Sequence, residues 1–210
     1  MKKILLSLSA TALALALAGC SDAETKKEDT VPVDTNSNTA NEDKKADEKV
    51  DKKEDKNVEE SELGKMTIVY KNKELEENAE SGPMKLNVSA IQLANLEVAE
   101  GQEYMFEEKD KVTVITVQME AENTVDETIS FYPDQATLTT DTGDQKDASL
   151  LLSDAVGGDF FGKVKKEGNA IFLVDTPAEE IGEITLNING SSDESFMDLG
   201  EKIKMTITTK

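Results

Sequence analysis

The chain has no arginine, no histidine and no tryptophan, and only one cysteine. Each absence removes a class of chemistry. Without histidine or a second cysteine, the usual zinc, copper and haem sites lose their donors. Without histidine, the Ser-His-Asp and Cys-His nucleophile systems are gone. Without arginine, the bidentate clamp on phosphate or carboxylate is lost. A lone cysteine forbids an internal disulfide. Positive charge is also scarce: 23 basic residues face 44 acids, a net −21 over 210 residues. Such a surplus repels nucleic acid and anionic lipid, so no nucleic-acid partner is expected. No cofactor is expected either.

What is present begins with an address. Lys2 and Lys3 precede an apolar run over 4–18 that is broken only by Ser7, Ser9 and Thr11. A transmembrane helix needs about 20 apolar residues, so the run suits a secretory signal instead. It ends in Leu17-Ala18-Gly19-Cys20. That tetrad resembles the lipobox of bacterial lipoproteins. The resemblance implies a signal peptide over 1–19, cleaved between Gly19 and Cys20. It also implies a diacylglyceryl (palmitate-type) anchor on the Cys20 thiol. Two acyl chains hold a protein stably where one holds it marginally. The expected location is the cell membrane, lipid-anchored on its extracytoplasmic face.

Residues 21–62 contain 15 acids, 8 lysines and no aromatic residue. Such a segment cannot bury enough apolar surface to offset its ordering entropy. A disordered tether over 20–62, starting at the lipidated cysteine, is expected. Its reach is roughly 35 Å as a flexible coil. From Leu63 onward the composition changes, and all nine aromatic residues lie there. One domain over 63–210 is the simplest reading.

The periodicity of that domain is mostly two. Residues 84–88 alternate, and the alternation changes phase near Ala90, as a β-bulge produces. Residues 111–123 form the strongest strand, with Ile115, Val117, Met119 and Ala121 on one side. Val112 and Val114 make its first half apolar on both faces, so that half is expected to be covered. Further strands are expected at 65–71, 128–132, 136–140, 149–152, 170–174, 183–189 and 203–207. Residues 73–79 read as a short helix. About eight or nine short strands argue for an all-β antiparallel sandwich.

From Val112 to Ile188 the order of segments is a long strand ending in Glu120-Ala-Glu-Asn123, then Ile129-Ser-Phe131, Asp141-Thr-Gly143 and Lys166-Glu-Gly168. It resembles an Ig-like, telokin-like domain of unknown function typical of lipoproteins of Gram-positive bacteria. The resemblance implies an Ig-like sandwich at the cell surface and no transferable catalytic residue.

Three sets of residues are candidates for function. Asp141, Asp144 and Asp147 offer oxygen donors to calcium, but their spacing is not that of an EF-hand. The plainer reading is a hairpin shaped by Asp141 and Gly143, so no built metal site is expected. Phe160 and Phe161 stand between glycines. Adjacent side chains of a strand point to opposite faces, so one of the two is a candidate partner contact unless both plug one end of the sandwich. Tyr104 and Phe106 form a second candidate contact. No carboxylate pair stands out for acid–base work, and no enzyme is expected. The function that remains is binding of a protein or cell-wall component. The alternatives are a structural spacer or envelope-stress component, or a calcium or small-molecule binder.

Overall fold

A computed structural model describes residues 57–210. The lipobox with Gly19 and Cys20, and the tether as far as residue 56, lie outside the described residues. The regular structure of the described residues is almost entirely β. Its strands are β1 (Val58–Ser61), β2 (Gly64–Asn72), β3 (Glu77–Ser81), β4 (Met84–Val98), β5 (Lys111–Asn123) and β6 (Thr128–Phe131). They continue as β7 (Thr137–Thr140), β8 (Gln145–Asp147), β9 (Gly158–Phe161), β10 (Lys165–Val174), β11 (Glu183–Ile188) and β12 (Ile203–Thr208). One antiparallel sheet has the order β1-β2-β4-β5-β10, with β3 on the first half of β4. A second has the order β12-β11-β7-β8, and β6 pairs with β9 as a separate ribbon. All pairings are antiparallel, and the layers form a sandwich.

The alternation explains the inner face. Met84, Leu86 and Val88 are buried, the register slips between Val88 and Ala90, and Ile91 and Leu93 are buried beyond the slip. The bulge inserts one residue, which restores the apolar side to the core. Opposite them, Ile115, Val117, Met119 and Ala121 of β5 are buried as expected. One core joins these residues to Leu138, Ile184, Leu186 and Met205 of the second sheet and to Phe131 and Phe160 of the ribbon.

A smaller core lies on the outer face of the first sheet, where Leu96, Val112, Val114 and Leu173 pack under Phe106. The β4–β5 connection folds back to cover it. The doubly apolar start of β5 is covered in this way.

Four segments depart from the sequence expectation. Residues 73–79 do not form a helix; the chain is irregular there until β3 begins at Glu77. Strand structure starts at Val58, ahead of the composition change at Leu63. The return strand after the Asp141–Asp144 turn is β8, not 149–152. Residues 149–154 instead run along the free edge of β10. Ser149 N–H donates to Ile171 O at 2.7 Å, and Asp154 N–H donates to Asn169 O at 2.9 Å. Ser153 Oγ and Asp154 Oδ2 accept the N–H groups of Ile171 and Asn169 at 2.9 and 2.8 Å. Side-chain acceptors thus close an edge that would otherwise template another strand.

Candidate functional site

The ribbon sorts the two adjacent phenylalanines. In β9, Phe160 faces Ile129 of β6 across the ladder and Phe161 faces Thr128. Phe160 is wholly buried, with the Lys166 ammonium 4.5 Å from its ring centre, while Phe161 is 73% exposed. Phe160 is therefore a core residue and not a contact. The period of two puts one of the pair inside and the other out.

A second aromatic is displayed at the same end. Ser192 and Ser130 exchange both backbone hydrogen bonds at 2.9 Å, in an antiparallel bridge on the side of β6 away from β9. The chain therefore leaves Ser192 toward the Thr128 end, where Phe161 sits. It turns there and returns at Asp198, which bridges back to Ser192. The tip of this turn carries Phe196, 86% exposed, and Met197, 64% exposed.

The tip is held by its own backbone and by one carboxylate. Asp193 Oδ1 accepts the N–H groups of Ser195 and Met197 at 2.8 and 2.9 Å. Asp193 N–H donates to Met197 O, and Phe196 N–H donates to Asp193 O, both at 3.0 Å. Phe196 has φ of 61°, a left-handed conformation that costs a bulky residue free energy and persists only where the surroundings impose it. The four hydrogen bonds impose it here. The backbone that carries this exposed aromatic is thus ordered before any partner arrives, which lowers part of the ordering cost of binding.

The other candidates separate. Tyr104 is 64% exposed, whereas Phe106 is buried as the plug of the outer core. Phe106 is thus not available as a contact. It is buried because the connection carrying it lies over Val112 and Val114. That connection is tied down by charge. Lys109 Nζ bonds Asp175 at 2.6 Å and Glu107 at 2.7 Å, and Lys146 Nζ reaches the same two carboxylates at 3.3 and 3.4 Å. The Lys109 hydrogen bonds hold the pKa values of Glu107 and Asp175 below the usual carboxylate range.

The calcium candidates are not brought together as ligands. Asp141 accepts the Gly182 N–H with both oxygens, at 3.0 and 3.2 Å, and this bond lowers its pKa. Asp144 Oδ2 accepts the hydroxyls of Thr176, Thr142 and Thr140 at 2.6, 3.1 and 3.2 Å. Asp147 Oδ1 accepts the Thr137 hydroxyl at 2.6 Å. Asp147 bonds within the hairpin, while Asp141 and Asp144 tie it to Gly182 and Thr176, so each carboxylate faces a different partner. Among the described residues, no group of three acidic or cysteine side chains is placed to hold a metal.

A cleft of about 430 Å³ lies between β4, β5 and the turn after β10, lined by Asn95, Glu97, Lys111 and Glu179 among others. Glu97 and Glu179 both have lowered pKa values, Glu97 through Lys111 and Glu179 through Asn95. A general acid needs the opposite displacement.

The displayed Phe196 and Met197 escaped the sequence reading. The available signal was an apolar pair inside an otherwise polar, glycine-bounded loop, Gly190 to Gly200.

Residues 38–156 match a sequence family described as a domain of unknown function, DUF5068. Over 101 residues the chain is 37% identical to the SPbeta prophage-derived uncharacterized lipoprotein YonS of Bacillus subtilis (strain 168), a match covering 47% of this chain and 50% of that protein. The chain thus spans about half the length of the curated relative it matches. The fold is similar to the crystal structure of a functionally unknown protein from Listeria monocytogenes EGD-e, with a TM-score of 0.53 and 13% identity over 70% of this chain and 89% of that one. At that identity the likeness concerns the fold alone.

Proposed function

Because this chain belongs to the DUF5068 family, whose domain has no assigned function, we propose its role from its own residues: it is a lipid-anchored, non-enzymatic display module that binds a protein or envelope component outside the cell membrane. The observation that carries this reading is the solvent-exposed Phe196, on a hydrogen-bonded turn at the same end as Phe161. A few large side chains that become buried on binding dominate the energy of protein interfaces.

The anchor is read from Leu17-Ala18-Gly19-Cys20, with cleavage before Cys20 and a diacylglyceryl group on its thiol. A relative that is itself called a lipoprotein supports it. The acidic, lysine-rich stretch that follows Cys20 then acts as the tether, and the sandwich, read as Ig-like, is held away from anionic headgroups by its own charge. The non-enzymatic reading is supported by the missing histidine systems, and neither Glu97 nor Glu179 of the cleft is poised as a general acid.

Two measurements test the reading. Cross-linking of the anchored protein on living cells, followed by mass spectrometry, is expected to return one recurrent partner. That partner is lost from a Phe161→Ser, Phe196→Ser double variant whose thermal unfolding is unchanged. A partner retained by the double variant, or none above background, overturns the display reading. Labelling with a fatty-acid probe is expected in the wild type and absent in Cys20→Ala; label persisting in that variant overturns the anchor.

A further inference from the structure

The segments that display Phe161, Phe196 and Met197 are also bordered by acidic residues, in sequence and along the ladder. Asp159 lies two residues before Phe161 on the same face of β9, and its Oδ1 accepts the Ser130 hydroxyl at 2.6 Å. Asp126 and Glu127 immediately precede Thr128, the cross-strand neighbour of Phe161. Glu194 and Asp198 flank Phe196 and Met197 within the turn. Lys163 is the lysine of these segments, and it is already paired with Asp126 at 3.2 Å. Apolar side chains at the centre and one sign of charge at the rim are the two halves of a docking surface.

We propose that this knob docks into an apolar pocket rimmed by lysine and arginine on a protein partner. The inference deepens the display reading and rests on it: that reading supplies a partner, and the acidic border states the partner's chemistry. Burial of the phenylalanines supplies affinity, while the opposed charges supply steering and discrimination. Two other occupants are disfavoured by the same charge. An anionic bilayer repels the acidic border. A second copy presents an identical border, and like charges in juxtaposition are costly.

The test uses the full-length anchored protein on its own cells, with Met197→p-benzoylphenylalanine as the photo-reactive probe and conjugates identified by mass spectrometry. A second protein carries the same probe together with Glu127→Gln, Glu194→Gln and Asp198→Asn. The expected result is a conjugate with a protein whose cross-linked surface is apolar and rimmed by basic residues. Its yield should fall about tenfold on neutralising the acidic border, and fall similarly as salt is raised to about 0.3 M. Thermal unfolding of the neutralised protein should be unchanged. A protein conjugate whose yield is indifferent to both changes, or whose contact surface lacks basic residues, overturns the basic-rim inference and leaves the display reading standing. Lipid adducts or conjugates between two copies of this chain overturn the inference in favour of those occupants. No conjugate above background defeats the display reading as well.

Discussion

Asn95 holds the carboxylate of Glu179 with its side-chain amide, which donates to both oxygens at 2.9 and 2.8 Å. The same side chain also accepts. Its Oδ1 takes the Ala178 N–H at 3.0 Å and lies 3.0 Å from the Thr113 hydroxyl. That hydroxyl has one proton and a nearer acceptor in Thr176 O, at 2.7 Å. Asn95 therefore ties β4 to the turn that follows β10, and the Thr113 hydroxyl ties β5 to the same turn through Thr176 O. Asn95→Ala leaves the buried Ala178 N–H without its side-chain acceptor, and a loss of about 2 kcal/mol is expected in urea unfolding. The Glu179 titration should rise toward an ordinary glutamate, because the Asn95 hydrogen bond is the main cause of its lowered pKa. A depressed carboxylate pKa adds stability above its unfolded value, so the variant should lose slightly more at pH 7 than at pH 3. A Glu179 titration unchanged in the variant, read by NMR, would contradict this account.

Phe160 and Phe161 should behave as opposites although they are neighbours. Phe160→Ala opens a cavity in the main core and should cost about 3–5 kcal/mol. Phe161→Ser removes an exposed ring and should change stability by less than about 0.5 kcal/mol. Phe106→Ala belongs with Phe160, since it unplugs the outer core. Equal losses for Phe160→Ala and Phe161→Ser in chemical denaturation would mean that the ribbon is registered differently.

These contrasts mark what could be read from sequence. β5 and the phase change at Ala90 were legible because burial on one face forces a strict period of two. The pairing of one buried with one exposed phenylalanine followed from the same rule. β1 and β3 were not legible. Their residues, such as Glu59, Glu60, Glu77 and Glu80, are polar and are held by backbone ladders, so they carry no apolar signature. Phe106 was misread because its neighbours Glu107, Glu108 and Lys109 are charged. Its burial is decided by Val112 and Val114, against which the whole connection must fold. The Phe196 tip depends on a bridge between Ser130 and Ser192, far apart in sequence, and no local pattern reports it.

Acid should loosen the connection that covers the outer core. Lys109 hydrogen bonds depress the pKa values of Glu107 and Asp175. Their contribution is fully present above the unfolded carboxylate values, near about 4, and is lost as pH falls through the lower folded values. The carboxylates are half exposed, so each pair contributes well under about 1 kcal/mol to global stability. The effect should be local: amide exchange over 99–110, corrected for its intrinsic pH dependence, should quicken below pH 4 before that of β4 and β5. Lys109→Met should produce the same quickening at pH 7. Equal protection of the connection at both pH values would show that Phe106 alone holds it.

Gly157 and Asp134 provide the sharpest steric test. Asp134 is buried, and its Oδ1 has no hydrogen-bond partner in the described structure. That oxygen occupies the place a side chain on Gly157 would take, and a Cβ there would also stand 2.8 Å from the Cα of Tyr132. Gly157→Ala must therefore displace both a carboxylate and backbone. A loss of about 2–4 kcal/mol is expected, at the upper end of overpacking costs. Asp134→Ala removes a buried oxygen with no protein hydrogen-bond partner among the described residues, so by itself it should be close to neutral. Combined, the two changes should lose less than Gly157→Ala alone, because one of the two clashes is gone. The recovery should be partial, because the Tyr132 backbone remains. Strict additivity in a double-mutant cycle would separate the two residues and refute the contact. Full recovery would show that the carboxylate, and not the Tyr132 backbone, sets the requirement for glycine.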